Sequence, residues 1–214
     1  MKNDEKSSIF KKEMFWGKLI KFLQALALII VISSFAFYFY NEWPEQEGYT
    51  RDELRYWECK SKIVDEIEFF INKKASYASI DPVLVIRNSD KYDIDPRLFL
   101  AQGLLESHFG TKGLARKTNS VCNVGAWDDG TITHTYDHPN LSIEPYFKLL
   151  RNNYLVDKTE EELLQNFVNK DGNRYASYAL YEKELKIVWE EINKITKLDS
   201  LLQAYRFYKL QLYR

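Results

Sequence analysis

Apolar residues in this chain either recur at helical spacing or run without interruption, and the uninterrupted run is the longest feature of the pattern. Residues 22–41, FLQALALIIVISSFAFYFYN, hold no Asp, Glu, Lys or Arg. Twenty helical residues rise about 30 Å, the thickness of a bilayer's hydrocarbon core, so the run is expected to be a transmembrane helix in contact with lipid. Trp16 on one side, and Tyr38, Tyr40 and Trp43 on the other, fall where interfacial aromatics gather. Residues 1–21 carry six Lys against Asp4, Glu5 and Glu13. The positive-inside rule then keeps that tail in the cytoplasm and exports everything after Asn41. A cleaved signal peptide ending at Ser34-Phe35-Ala36 is the competing expectation, and the apolar run continuing through Phe37 to Tyr40 speaks against it.

Past a polar linker at 42–49, residues 50–214 read as one domain of successive helices. Thr50 with Glu53 fits a capping box, and Leu54, Trp57, Ile63, Ile67, Phe70 and Ile71 keep helical spacing towards Lys74. Asp81-Pro82 and Asp95-Pro96 each combine a capping side chain with a residue suited to the first helical turn. The second of these predicts a helix from Pro96 to about Phe109, stopped by Gly110. Thr159 with Glu162 is another capping box, and Tyr175 to about Ile195 predicts a long amphipathic helix. Only the stretch 120–136 breaks the helical pattern. Asp128-Asp129-Gly130 is a turn signal there, flanked by Val121 to Val124 and by the alternating Thr131 to Tyr136, so a small hairpin or irregular lobe is expected in a mainly α fold.

Composition removes several function classes. Lys and Arg number 30 against 31 Asp and Glu, a balance unsuited to binding nucleic acid through bulk positive charge. With 45% hydrophobic residues the chain can bury a core. Cys59 and Cys122 are too few for a disulfide scaffold or a four-Cys zinc site; whether they pair is left open, with free thiols preferred. His108, His134 and His138 lack metal-ligand spacing, and neither a metal nor another cofactor is expected.

The candidate chemistry sits in DPRLFLAQGLLESHFG. Leu98, Ala101, Leu104 and Leu105 form an apolar face, and Glu106 lies in the last turn. The negative end of the helix dipole and apolar surroundings both raise a carboxyl pKa, which suits a general acid that protonates a leaving oxygen near neutral pH. A solvent-facing Glu paired with Lys112 or Arg116 is the plain alternative.

Asp95-Pro96, then Leu100-Ala101-Gln102-Gly103-Leu104-Leu105-Glu106-Ser107-His108-Phe109-Gly110, then Leu114-Ala115 and Asn119-Ser120-Val121-Cys122-Asn123, resembles the glucosaminidase family of peptidoglycan hydrolases. Ser142 to Tyr146 is similar to that family's S-x-x-E-A helix start, and Tyr175-Ala176-Ser177 with Tyr181 to its late Tyr element, so the resemblance spans about 80–195. It implies a lysozyme-like helical fold and cleavage of cell-wall glycan strands, with Glu106 as catalytic acid and Tyr175, Tyr181, Phe109 and Trp127 as candidate sugar-binding residues. For Phe109, which stands where the family usually has Trp, and for both tyrosines and Trp127, a core role is the competing expectation. The lobe's second acid is less clear: His134 stands near its expected place, leaving Asp128 and Asp129 as candidates and Asp137 behind them. Both first candidates also suit a plain Asp-Gly turn. The aromatic C-terminus, Tyr205 to Leu212, is expected to pack on the domain. Three functions follow: a membrane-anchored peptidoglycan glycosidase, a lytic transglycosylase using Glu106 alone, and a non-catalytic glycan-binding or envelope-scaffold module.

Overall fold

The structure, a computed structural model, describes residues 48–127 and 130–213. The apolar run 22–41, its Lys-rich flank and the turn carboxylates Asp128 and Asp129 lie outside the described residues. No helix among the described residues is long and apolar enough to cross a membrane.

Residues Arg51–Arg214 form one compact unit built on helices. In chain order these are α1 (Arg51–Lys74), α2 (Pro82–Tyr92), α3 (Pro96–Ser107) and the short α4 (Ala115–Thr118), then α5 (Ile143–Leu149). A 3₁₀ turn (Pro139–Ser142) leads into α5 and a π turn (Leu150–Tyr154) leaves it, before α6 (Glu160–Gln165), α7 (Tyr181–Ile195) and α8 (Leu198–Leu212). The capping expectations hold where the chemistry is local. Asp81 accepts from the Val83 N–H at 2.8 Å and Asp95 from the Arg97 N–H at 2.9 Å, and Thr159 and Glu162 bond reciprocally as a capping box.

Helix α3 is the centre. Every residue from Pro96 to Leu104 is buried, so it is covered on all sides, chiefly by α1, α2 and α7. Arg97 is buried too, and it is satisfied by Asp95, Asn193 and Asp199 while its guanidinium lies 4.5 Å from the centre of the Trp189 ring. Helices α1 and α8 run antiparallel: Tyr56 in the first half of α1 stacks on Tyr205 at the middle of α8 at 4.9 Å, while the Lys197 N–H at the start of α8 donates to Glu66 further along α1.

Four expectations are corrected. On α1, Ile63, Ile67, Phe70 and Ile71 are buried as expected, but Leu54 and Trp57 are exposed and Tyr56 is buried, because α8 covers the Tyr56 side. Helix α3 stops at Ser107, two residues early, because His108, Phe109 and Gly110 all take left-handed backbone. The helix expected from Tyr175 starts at Tyr181. Residues 167–175 instead close a hairpin over Asp171-Gly172, with the Tyr175 N–H on Phe167 O at 3.0 Å and the Asn169 N–H on Asn173 O at 2.8 Å. At the C-terminus Tyr205 is buried, whereas Phe207 and Leu210 point to solvent.

The expected central hairpin is present in small form. Ala126 bridges Ile132, the Trp127 N–H donates to Thr131 O at 2.9 Å, and the Thr133 N–H donates to Gly125 O at 2.7 Å. Gly125 permits this closure: its φ is +78°, and a Cβ there would lie 2.6 Å from His134 Nδ1.

Candidate active site

The end of α3 aims the site. The Phe109 N–H reaches back to Gly103 O at 2.8 Å and the His108 N–H to Leu104 O at 3.1 Å, closing the helix with left-handed residues. Ser107 then clamps the turn. Its hydroxyl donates to Val121 O at 2.6 Å and accepts from the Gly110 N–H at 2.7 Å, fixing the helix end to the 120–123 turn. Phe109 swings inward, 1% exposed and edge-on to Phe70, so it takes the core role of the two open to it and cannot stack on a sugar. Gly103 makes room for that ring: a Cβ would lie 3.0 Å from Phe109 Cδ1 and 3.1 Å from Val121 Cγ1.

Glu106, half-buried, is left facing the tyrosines. Asn123, held in left-handed backbone, donates its amide Nδ2 to Glu106 Oε2 at 2.9 Å and to Glu106 O at 3.3 Å. Opposite, the Tyr181 hydroxyl lies close enough for the Glu106 charge, after burial, to raise its pKa. The same hydroxyl meets Gln102 Nε2 at 2.7 Å, and Gln102 Oε1 accepts from the buried Tyr146 hydroxyl. Tyr175 is half-buried; it donates to Cys122 O at 2.5 Å, and its ring stacks on Tyr181 with 6.0 Å between centres. Phe167 packs edge-on against both rings.

Burial pushes the phenols of Tyr146, Tyr175 and Tyr181 well above the ordinary tyrosine range, and the negative charge of Glu106 adds to this for each. The Cys122 thiol is raised well above its ordinary value by burial first and by Glu106 second. Four groups therefore feel the Glu106 carboxylate while staying neutral at working pH. Both cysteines are free.

The structure thus brings Tyr175 and Tyr181 to Glu106, buries Phe109 elsewhere, and leaves Trp127 on the hairpin, 63% exposed. His134 and Asp137 are exposed on the lobe, and the candidates Asp128 and Asp129 lie outside the described residues. A groove of about 740 Å³ is lined by Val124, His134 and Tyr136 of the lobe together with Pro145, Lys148 and Asn152, and neither Glu106 nor Asn123 is part of its lining.

Comparison with protein families matches residues 83–194 to the glucosaminidase family, described as mannosyl-glycoprotein endo-beta-N-acetylglucosaminidase, over just more than half of the chain. The chain belongs to the glucosaminidase family. No curated protein matches it. As a glucosaminidase it carries the glycosidase scaffold of that family from α2 to near the end of α7, while α1 and α8 lie outside the matched residues.

Three site residues carried no role in the sequence: Gln102, Asn123 and Tyr146. Gln102 left a signal, since it lies four residues before Glu106 and so on the same helix face, a polar residue in an apolar helix. Asn123 and Tyr146 reach the site through contacts 17 and 44 residues apart in sequence, which local pattern does not encode.

Proposed function

We propose that this glucosaminidase cleaves the glycan strands of bacterial peptidoglycan from outside the cytoplasmic membrane, anchored by residues 22–41, and that Glu106 is its general acid. The carrying observation is the donor held on the Glu106 carboxylate, Asn123 Nδ2 at 2.9 Å from Oε2. As the acid gives its proton to the glycosidic oxygen it becomes negatively charged. A donor already aimed at that charge stabilises it without reorganisation, which lowers the barrier to proton transfer. Tyr175 and Trp127 are the aromatic faces proposed to meet sugar rings, and Asp128 and Asp129 supply the lobe's candidate second carboxylate.

The test is cell-wall cleavage by the full chain and by Glu106→Gln, which keeps the side chain's size but has no acidic proton. Activity is expected to fall about 10²- to 10⁴-fold with folding unchanged. Undiminished cleavage by Glu106→Gln would refute the assignment. Reducing ends in the product mark hydrolysis and anhydro ends mark a transglycosylase; failure of the parent chain to cleave walls would leave a glycan-binding module.

A further inference from the structure

We propose that the groove between the lobe and α5 binds the acidic peptide stem of a peptidoglycan strand, with the Lys148 ammonium taking a stem carboxylate. This rests on the peptidoglycan reading of the site and adds to it the part of the substrate that is peptide rather than sugar.

The walls of the groove are tied down. On the lobe, the Tyr136 N–H donates to Thr118 O at 2.8 Å and the Asn119 amide donates to Tyr136 O at 2.7 Å, so the backbone carrying that ring is held from both sides. His134 sits against Gly125, where a Cβ would not fit, and its Nδ1 meets the Thr133 hydroxyl at 2.9 Å. On the far wall Asn152 and Asn153 belong to the π turn, which is fastened where Asn153 O accepts from the Lys170 N–H at 2.7 Å. A volume of about 740 Å³ between such walls is in the range of pre-formed ligand sites. The groove also starts next to the proposed chemistry: Val124 in its lining directly follows Asn123, whose amide is 2.9 Å from Glu106 Oε2.

Its charges say what it holds. Besides His134, the lining side chains that carry charge are Glu144 and Lys148, four residues apart on α5, a spacing that suits an ion pair with each other. Glu144 is instead tied to Lys91 and to the Tyr92 hydroxyl, both of α2. Lys148 is left exposed at the groove and forms no ion pair among the described residues. Sugar rings are uncharged and offer that cation nothing, whereas the carboxylates of a peptide stem pair with it. The stem's peptide groups both donate and accept, and so do the side-chain amides of Asn88, Asn152 and Asn153 in the lining. Asn88 shows the sense of one such contact: its Nδ2 donates to Leu84 O of its own helix at 2.8 Å, which leaves Oδ1 as the atom that accepts a peptide N–H. Val124 and Pro145 give the apolar surface against which alanine methyls of a stem rest.

The probe is N-acetylmuramyl-L-alanyl-D-glutamate, which carries the start of a stem and its carboxylates but no glycosidic bond to be cut. It is titrated calorimetrically against the full chain in detergent micelles, at low and at high salt. The parent is expected to bind it, and more weakly as salt rises. Lys148→Met should bind about 2- to 5-fold more weakly and with less salt dependence, the size of one exposed ion pair, and Lys148→Glu more weakly still. Asn152→Trp, which fills the groove from an exposed position, should block binding. The diamide of the probe keeps sugar and peptide and lacks the charge, so it should bind the parent no better than the probe binds Lys148→Met. No binding by the parent, equal affinity in Lys148→Glu, or unchanged binding by Asn152→Trp each overturns the proposal. A parent that cuts cell walls without binding the probe keeps the glycosidase reading and loses the groove, whereas one that binds the probe through Lys148 but cuts nothing loses the glycosidase reading and leaves the groove standing.

Discussion

Ser107→Ala tests whether the turn after α3 is what holds Glu106 in place. The hydroxyl, 2% exposed, makes two good hydrogen bonds, to Val121 O at 2.6 Å and from the Gly110 N–H at 2.7 Å. Each contributes about 0.5–1.5 kcal/mol net, and removing one side leaves a buried partner whose desolvation costs about 1–3 kcal/mol. Val121 is fully buried, so water cannot replace the bond to its carbonyl, whereas Gly110 is half-buried and its N–H recovers part of the loss. The sum is about 2–3 kcal/mol. For a unit of this size a loss of 1 kcal/mol lowers the thermal midpoint by about 2–4 °C, so Ser107→Ala is expected to melt about 4–12 °C lower.

The consequence for chemistry is larger than the stability change suggests. Val121 is two residues from Asn123, and Asn123 carries the amide donor on the Glu106 carboxylate. Freeing the 120–123 turn from α3 lets that donor drift, and a displacement of about 1 Å in a positioned group costs about 10²-fold in rate. The assay is calorimetric or circular-dichroism melting beside cell-wall cleavage, measured at a temperature where both proteins are folded. A midpoint within about 1 °C of the parent, or a destabilised Ser107→Ala protein with full turnover, would refute the link between clamp and site.

Gly103→Ala should destabilise although alanine favours helix by about 1 kcal/mol, because its Cβ would meet Phe109 and Val121 at 3.0–3.1 Å and overpacking costs about 1–3 kcal/mol; a raised melting point would show the Phe109 ring free to yield. Asp90 governs acid stability. Burial alone would push its carboxyl up, but hydrogen bonds from Tyr205 at 2.6 Å, Lys209 at 2.9 Å and Lys60 at 3.1 Å hold it below the ordinary carboxylate range. A depressed folded value means that its stabilisation is complete above the unfolded pKa of about 3.9 and is lost as pH falls through the folded value. Melting of Asp90→Asn is therefore expected to fall below the parent at pH 7, with the gap narrowing as pH falls below the unfolded pKa, and a gap that does not change with pH across the acid range would count against the ion-pair account.

What was legible in the sequence depended on how local its cause was. The caps at Asp81, Asp95 and Thr159 join groups two or three residues apart, so the residue types alone announce them. Glu106 was legible as a carboxyl closing an apolar helix, and family resemblance raised it above the exposed alternative. The early stop at Ser107 was not, because three successive left-handed residues are favoured only once Ser107 has Val121 to bond and Phe109 has Phe70 to pack on. The missing first turns of α7 have a similar origin: the Tyr175 N–H is committed to Phe167 across a hairpin closed by the Asp171-Gly172 turn, a pairing that the apolar pattern of the stretch does not announce. Strict spacing selects Tyr56 over Trp57, because Tyr56 lies seven residues before Ile63 on the buried face of α1, where Tyr205 of α8 stacks on it, whereas Trp57 is turned about 100° away.

Helices α1 and α8 lie outside the residues matched to the family, yet both hold the helix that carries Glu106. At the start of α3, Asp95 caps the helix and is gripped by Arg97 at 2.8 Å and by Arg206 of α8 at 3.1 Å, while Arg97 reaches Asp199 of α8 at 2.7 Å. At its end, Phe109 rests edge-on against Phe70 of α1 with 6.3 Å between ring centres. The charged contacts differ in kind: Asp95 and the Arg97 side chain are nearly buried, so their pair is shielded from solvent, whereas Arg206 and Asp199 are half or more exposed and contribute little on their own. The aromatic contact at the far end is apolar and fully buried, and it acts directly behind the turn that orients Glu106. In this chain, then, α1 is part of the support of the proposed active site: Phe70 presses Phe109 into place over Gly103, Phe109 fixes the left-handed turn, and that turn sets where the Glu106 carboxyl meets Asn123.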